Sequence, residues 1–183
     1  AAARGQLIRI NRFATSSQLL DFFQREQISY LTTGPSSAFA LALEFEALGQ
    51  EWHFDAFLPH GAAVEPDARA AIKRAFGAVC VDLYSSKEAG HIAHACPSSE
   101  GLHVNGESVL VEIVDEEGVP APAGVLGRVI VTPFFNAAQP LIRYDQGDVA
   151  TLLPSCSCGR PLPRLEKLIG RSVALFFHPD GRI

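Results

Sequence analysis

The chain contains no methionine. A methionine-free run of this length lacks its own start, so residues ahead of Ala1 are expected and the sequence reads as a piece of a longer protein. No apolar run reaches about eighteen residues, which excludes the hydropathy signature of a transmembrane helix. No basic start followed by an apolar block marks a signal peptide, so a cytoplasmic protein away from the membrane is expected. Positive charge is in deficit: 15 Lys and Arg against 20 Asp and Glu give a net charge of -5. General nucleic-acid binding needs a basic surface to displace counterions, so that class is argued against. A phosphorylated small ligand is not, because it depends on local charge. Cysteine is scarce, at four residues, and without secretory signals close cysteines read as metal or redox sites. Cys156 and Cys158 are too near in the chain to bond to each other without strain. Cys80, inside Ala78-Val79-Cys80-Val81, reads as a core residue.

What is present is ordinary globular material: 183 residues, 48% hydrophobic, enough for one large domain or two small ones with a core that needs no disulfides. The first half alternates between strand and helix periodicity. Gln6 to Phe13 alternates apolar and polar side chains and predicts a strand. Thr15-Ser16-Ser17 offers caps for a helix through about Gln24. Ile28 to Thr32 predicts a strand, Ser36 to Leu48 a helix capped by Gly49, and Phe54 to Leu58 a strand. Pro66 starts a helix over Asp67 to Phe76 that Gly77 stops, and Val79 to Tyr84 is the next strand. Such alternation implies parallel strands with crossover helices. Ligands of those sheets sit beyond the carboxyl ends of strands, so the loops Pro59 to Val64 and Tyr84 to Gly90 are predicted to face one.

The character changes near His91. Leu102 to Val104, Ser108 to Val114, Gly127 to Thr132, Leu141 to Tyr144 and Asp148 to Leu153 predict short strands in a small antiparallel sheet or barrel. Asp115-Glu116-Glu117-Gly118 and Pro120 to Gly124 are turns between them. The fold class is therefore α/β: a parallel sheet with crossover helices, followed by a small antiparallel β-barrel-like subdomain. The expected divisions are residues 1–92 (α/β), 93–170 (β-rich and metal-stapled) and 171–183 (a hinge opening a further domain). Pro179 to Ile183 reads as a hairpin turn without its second strand.

Three groups of residues could carry chemistry. Cys96 and His103 have six residues between them, and Cys156-Ser157-Cys158-Gly159 forms a tight knuckle. Together they offer the four N and S ligands of a tetrahedral zinc, which would leave no open position and so be structural. An exposed turn pair plus a strand histidine is the alternative, with His94 the substitute ligand. Tyr84-Ser85-Ser86-Lys87-Glu88-Ala89-Gly90 follows a strand. Its tyrosine can stack on a base, its hydroxyls and amides can hold a phosphate, and its glutamate can hold Mg²⁺. A solvated strand exit is the alternative. In Arg143-Tyr144-Asp145-Gln146-Gly147-Asp148, an aspartate at a glycine turn suits two adjacent sugar hydroxyls, and a hairpin turn with an Arg–Asp pair is the alternative. Gly170-Arg171 could add a cation or cap the last strand.

These stretches form a recognisable series. Tyr84-x-Ser86-x-Glu88 is followed by Cys96-Pro97, then Gly101-Leu102-His103-Val104, then Leu126 to Thr132 (LGRVIVT). After these come Pro140 to Asp148 (PLIRYDQGD), Cys156 to Leu165 (CSCGRPLPRL) and Ile169-Gly170-Arg171. The series resembles the phenylacetate–CoA ligase and coenzyme F390 synthetase branch of the adenylate-forming enzymes, over about residues 15 to 178. The resemblance implies ATP-dependent activation of a carboxylic acid, expected to be aryl, to an acyl-adenylate, then transfer to coenzyme A. It implies that Tyr84 stacks on adenine, Glu88 holds Mg²⁺, and Asp148 accepts the ribose hydroxyls with help from Arg171. It implies that Gly61, Ala62 and Ala63 line the adenine and acid pocket beside Ser85 and Ser86. Cys96, His103, Cys156 and Cys158 would bind zinc. The chain departs from the family at Ser85, where glycine is usual, and at Lys87, where a hydroxyl is usual. Ala62-Ala63 replaces Gly-Glu, and Ala174 replaces a hinge aspartate. The family's phosphate loop and its domain with the catalytic lysine are not in this sequence, so the fragment alone is expected to be inactive. A degenerate zinc-stabilised nucleotide-binding scaffold and an adenylating synthetase with a non-CoA acceptor stay open, as does the oligomeric state, a homodimer included.

Overall fold

Thr15 begins the folded chain. In the computed structural model, which describes residues 7–11, 13–96 and 101–171, its hydroxyl accepts the Gln18 N–H at 3.3 Å while the Gln18 side chain accepts the Thr15 N–H at 3.0 Å. This reciprocal pair satisfies donors that a helix start would orphan, and α1 (Ser16–Glu26) follows. Next come β1 (Tyr30–Thr33), α2 (Pro35–Leu48), β2 (Ala56–Pro59), α3 (Pro66–Phe76) and β3 (Val79–Cys80). Both α2 and α3 open on proline, whose missing N–H costs nothing there. The strands pair in the order β1-β2-β3, all parallel, with a helix in each crossover as the alternation predicts.

The core of this first unit, residues 1–80, is aromatic. Phe23, Phe45, Phe54 and Phe76 are buried. Phe23–Phe54, Phe45–Phe76 and Phe54–Phe76 meet edge to face at centroid distances of 5.1, 5.2 and 5.2 Å, setting positive ring edges against negative faces. Cys80 is half-buried and packs against this cluster. Gly77 ends α3 at φ 65, and a Cβ there would lie 2.6 Å from His53 Nδ1, so the stop is also a close packing contact.

The second unit, residues 81–183, is one antiparallel sheet. Its strands are β4 (Leu83–Ser86), β5 (Gly90–Ala95), β6 (Leu102–Val104), β7 (Val109–Val114), β8 (Gly127–Pro133), β9 (Tyr144–Leu153) and β10 (Arg164–Arg171). They pair in the order β4-β5-β6-β10-β9-β8-β7. The last strand in sequence is thus the middle one, inserted between β6 and β9. Val109, Val111 and Ile113 are buried while Leu110 is exposed, the two-residue period of a sheet with one face on the core. Gly127 lets β8 approach β7: a Cβ there would stand 2.4 Å from the Val114 carbonyl oxygen.

Several expectations are corrected. The sheet is open, with edges at β4 and β7, so it is not a barrel. Residues 7–11 and 13 lie in no strand, while Gln6 and Arg12 lie outside the described residues. The expected strand Val79 to Tyr84 is two strands in different sheets, because Val79 and Cys80 pair with β2 whereas Leu83 and Tyr84 pair with β5. The chain therefore changes unit at Cys80/Val81, ahead of the expected 92/93 boundary. Tyr84 to Gly90 is accordingly an antiparallel hairpin and not a loop at the end of a parallel strand. Leu141 to Tyr144 and Asp148 to Leu153 are not two strands around a hairpin turn: β9 runs unbroken from Tyr144 to Leu153 with a bulge inside it. The strands β5 and β10 were not anticipated. The expected segment 172–183, with Ala174 and the Pro179 turn, lies outside the described residues, as does Pro97. Among the described residues no helix is long and apolar enough to cross a membrane.

Phe45 is fully buried against Phe23 and Phe76. Phe45→Ala is expected to lower the unfolding free energy by about 3–5 kcal/mol in a denaturant titration. A loss under about 1 kcal/mol would show that this aromatic cluster does not hold the unit together.

Candidate functional site

Four ligand atoms converge where β5, β6 and the β9–β10 connection meet. His103 is fully buried on β6, opposite His94 of β5 and Arg164 of β10. Cys96 follows directly on β5, its N–H bonded to the Gly101 carbonyl at 3.0 Å. Cys156 and Cys158 sit in a turn closed by the Gly159 N–H on the Cys156 carbonyl at 3.2 Å, with Gly159 at φ 82. The ligand atoms of Cys96, His103, Cys156 and Cys158 all lie within 4.8 Å of one another. Cys96 Sγ and Cys156 Sγ are 3.7 Å apart, and His103 Nε2 and Cys158 Sγ 3.2 Å. Tetrahedral bonds of about 2.3 Å to sulfur and 2.0 Å to nitrogen put neighbouring donors roughly 3.5–3.8 Å apart, so the Cys96–Cys156 separation matches such a site and the His103–Cys158 separation is somewhat shorter.

The Arg160 backbone N–H pulls the Cys158 thiol down, but desolvation and the Cys156 and Cys96 thiols outweigh it and hold Cys158 above its ordinary range. Crowded thiols do not ionise together unless a cation compensates them. His94 does not join the four ligands. Its imidazole faces Arg160 at 3.4 Å, and burial first, then Arg160 and His103, hold it below the usual histidine range. It is neutral where an unshifted histidine would charge. His103 Nδ1 is buried without a hydrogen-bond partner among the described residues, which leaves Nε2 as its engaged nitrogen.

The nucleotide candidates gather elsewhere in the same sheet. The Tyr84 hydroxyl donates to Asp148 Oδ2 at 2.6 Å, and both residues are buried. Asp148 lies opposite Arg171 in the β9–β10 ladder. Its position comes from the bulge in β9. Between the pairs Arg128↔Val149 and Ile130↔Asp145, β9 spends three residues, Gln146, Gly147 and Asp148, against the single Val129 on β8. Gly147 takes up φ 71 there, and Asp145 Oδ1 accepts its N–H at 2.8 Å. The Asp-x-Gly signal is real turn chemistry used inside a strand.

The rest of the motif is structural. The Arg–Asp pair is Arg128 with Asp145, at 2.6 Å, and not Arg143 with Asp145. Arg143, at φ 51, bonds Glu112 at 3.2 Å and the Gly118 carbonyl at 3.2 Å. In the β4–β5 hairpin, Ser86 Oγ accepts the Ala89 N–H at 3.0 Å, which commits that hydroxyl to the turn. Ser85 and Lys87 are exposed and Glu88 is half-exposed in the turn. Gly61, Ala62 and Ala63 are exposed on the loop after β2, in the first unit, with Gly61 at φ 84. Sequence reasoning gave no role to Arg164, although its Nη1 reaches Cys156 Sγ at 3.4 Å. Its only sequence signal is its place shortly after the Cys-x-Cys-Gly knuckle.

No family model matches the chain. The phenylacetate-coenzyme A ligase of Pseudomonas putida is 31% identical over 163 residues, covering 85% of this chain and 36% of that protein. The phenylacetate-coenzyme A ligase of Thermus thermophilus is 29% identical over 137 residues, covering 72% of this chain and 28% of that protein. The chain thus spans about a third of the length of these relatives. Neither relative is a coenzyme F390 synthetase. The fold is shared with 2-hydroxyisobutyryl-CoA ligase in complex with 2-HIB-AMP, at a TM-score of 0.77 and 22% identity over 90% of this chain and 37% of that one. It is also shared with the amide bond synthetase McbA from Marinactinospora thermotolerans, at a TM-score of 0.60 and 22% identity over 85% of this chain and 35% of that one.

Tyr84→Phe keeps the ring and removes the donor to a buried carboxylate. It is expected to cost about 1–3 kcal/mol of stability in equilibrium unfolding. Unchanged stability would mean that Asp148 does not depend on that hydrogen bond.

Proposed function

We propose that this chain, a relative of the phenylacetate–coenzyme A ligases, is the part of an ATP-dependent acid–thiol ligase that holds the adenosine half of the nucleotide. The observation that carries the reading is the buried Tyr84–Asp148 hydrogen bond, which joins the two strongest nucleotide candidates across 64 residues of sequence. Asp148 is a buried carboxylate that accepts the Tyr84 hydroxyl, and a carboxylate at a glycine turn suits the vicinal ribose hydroxyls. The Tyr84 ring would flank the adenine, with Arg171 adding a cation. Ser85 would stand near the phosphates, and Ser86 would shape the turn that presents it. Glu88 would hold Mg²⁺, which supplies charge neutralisation of the phosphates when bound.

In the reaction, a carboxylate oxygen of the acid forms a bond to the α-phosphorus of ATP. The bond from that phosphorus to the bridging oxygen breaks, and pyrophosphate leaves with the electron pair. The sulfur of coenzyme A then attacks the acyl carbon and AMP departs. The residues here contribute positioning and charge stabilisation and no covalent step. The names of the relatives support an aryl acid, and a cytoplasmic setting suits chemistry that consumes ATP and coenzyme A. Transfer to an amine is the second reading, supported by the fold shared with an amide bond synthetase. Ser85 and Lys87 favour a third, in which the nucleotide is bound but not turned over.

The metal half of the reading is a structural zinc on Cys96, His103, Cys156 and Cys158. The donor set fits it in number, softness and spacing. Closed coordination gives it no part in catalysis, and its binding energy becomes folding energy.

Isothermal calorimetry of the intact protein is expected to detect AMP binding that Asp148→Ala weakens at least about tenfold, the loss of a charge-assisted contact. Equal affinities would remove Asp148 from the nucleotide site. Elemental analysis of protein purified without chelators is expected to find about one zinc per chain. A metal-free, fully folded preparation would refute the metal site.

A further inference from the structure

Three thiolates, a neutral imidazole and a divalent cation sum to a net charge of about −1. Two of the four ligands here, Cys96 and His103, are buried, and a net charge held away from water needs a partner. Arg164 stands where that partner is needed. We infer that Arg164 is the outer-shell cation of the metal centre, donating to the Cys156 sulfur and offsetting the excess negative charge. The inference rests on the zinc reading.

Several features place Arg164 for this task. Its Nη1 donates to Cys156 Sγ at 3.4 Å, and its side chain is only 12% exposed. Its Nη2 is bonded to the Glu166 carboxylate, which fixes the guanidinium plane. Arg164 lies opposite His103 on one side of β10 and opposite Leu153 on the other. The strand bearing it is therefore clamped between the strand of one ligand and the strand that leads into the two-cysteine turn. Room for the side chain is also built in. Gly101 has φ 101, and a Cβ there would stand 3.1 Å from both Cγ and Cδ of Arg164 and 2.7 Å from the Leu165 carbonyl oxygen.

The chemistry selects arginine. One branch of a planar fork can address the sulfur while the other addresses the carboxylate, which a single ammonium cannot do in the same geometry. A cationic donor on a ligating thiolate takes up part of its negative charge, so the bound sulfur should be a poorer nucleophile toward electrophiles, while the negatively charged site becomes easier to assemble around the metal.

The test uses the intact protein and zinc alone. Zinc affinity is measured by competition with a chromophoric chelator for the wild type, Arg164→Gln and Arg164→Lys. Arg164→Gln is expected to weaken zinc binding about 10–100-fold, the usual effect of losing an outer-shell partner. It is also expected to speed alkylation of Cys156 by iodoacetamide in the zinc-loaded protein. Arg164→Lys, which keeps the charge without the fork, is expected to recover part of the affinity and to stay within about tenfold of the wild type. Zinc affinity of Arg164→Gln within about twofold of the wild type overturns the inference while leaving the zinc site intact. If Arg164→Gln does not fold, Arg164→Lys decides: a loss beyond about tenfold overturns the charge role. If the wild type binds no zinc, the metal reading fails and the inference with it.

Discussion

The insertion of β10 between β6 and β9 is the constraint on which the second unit depends. One end of β10 sets Arg164 opposite His103, and the other sets Arg171 opposite Asp148. Without it, β6 and β9 have no common neighbour, and the sheet falls into two pieces with unpaired edges. The cysteine turn sits in the connection that makes the insertion, between the end of β9 and the start of β10. Closing Cys156 and Cys158 onto Cys96 and His103 fixes that connection to the strands it must join. A metal here would hold the chain at the one crossing where the sheet's non-local pairing is decided.

This gives the two candidate sites different physical characters. The thiol and imidazole cluster is a packing device, with four soft donors in a small volume and a buried histidine. The Tyr84–Asp148 pair, in the proposed reading, is a recognition device, in which a buried carboxylate is oriented by a tyrosine hydroxyl. The β9 bulge serves the second device. It spends extra residues, bent by Gly147 and Asp145, to aim Asp148. The charged groups around it, Arg128 and Arg143, are tied to Asp145 and Glu112 and stabilise the bulge's frame.

What could be read from the sequence follows the range of the forces. Helices α1, α2 and α3 were legible because their starts and stops are local: Thr15 with Gln18, Pro35 with Gly49, Pro66 with Gly77. The parallel order of the first unit follows from that alternation. The metal cluster was legible because each pair of ligands is close in sequence and its chemistry is distinctive. The pairing of β10 was not, since nothing local in Arg164 to Arg171 names β6 and β9 as neighbours. The Asp145-Gln146-Gly147 turn was identified by its chemistry but assigned to a hairpin, because local residues specify a bend and only tertiary context decides whether the strand continues through it. The Arg164 contact with Cys156 was invisible for the same non-local reason.

The most direct measurement of the central claim is exchange of labelled pyrophosphate into ATP by the intact protein, assayed across a panel of aryl carboxylic acids. The account predicts exchange that depends on the acid and is abolished by Asp148→Ala. Nucleotide binding without exchange for any acid would contradict it and leave a binding scaffold in its place.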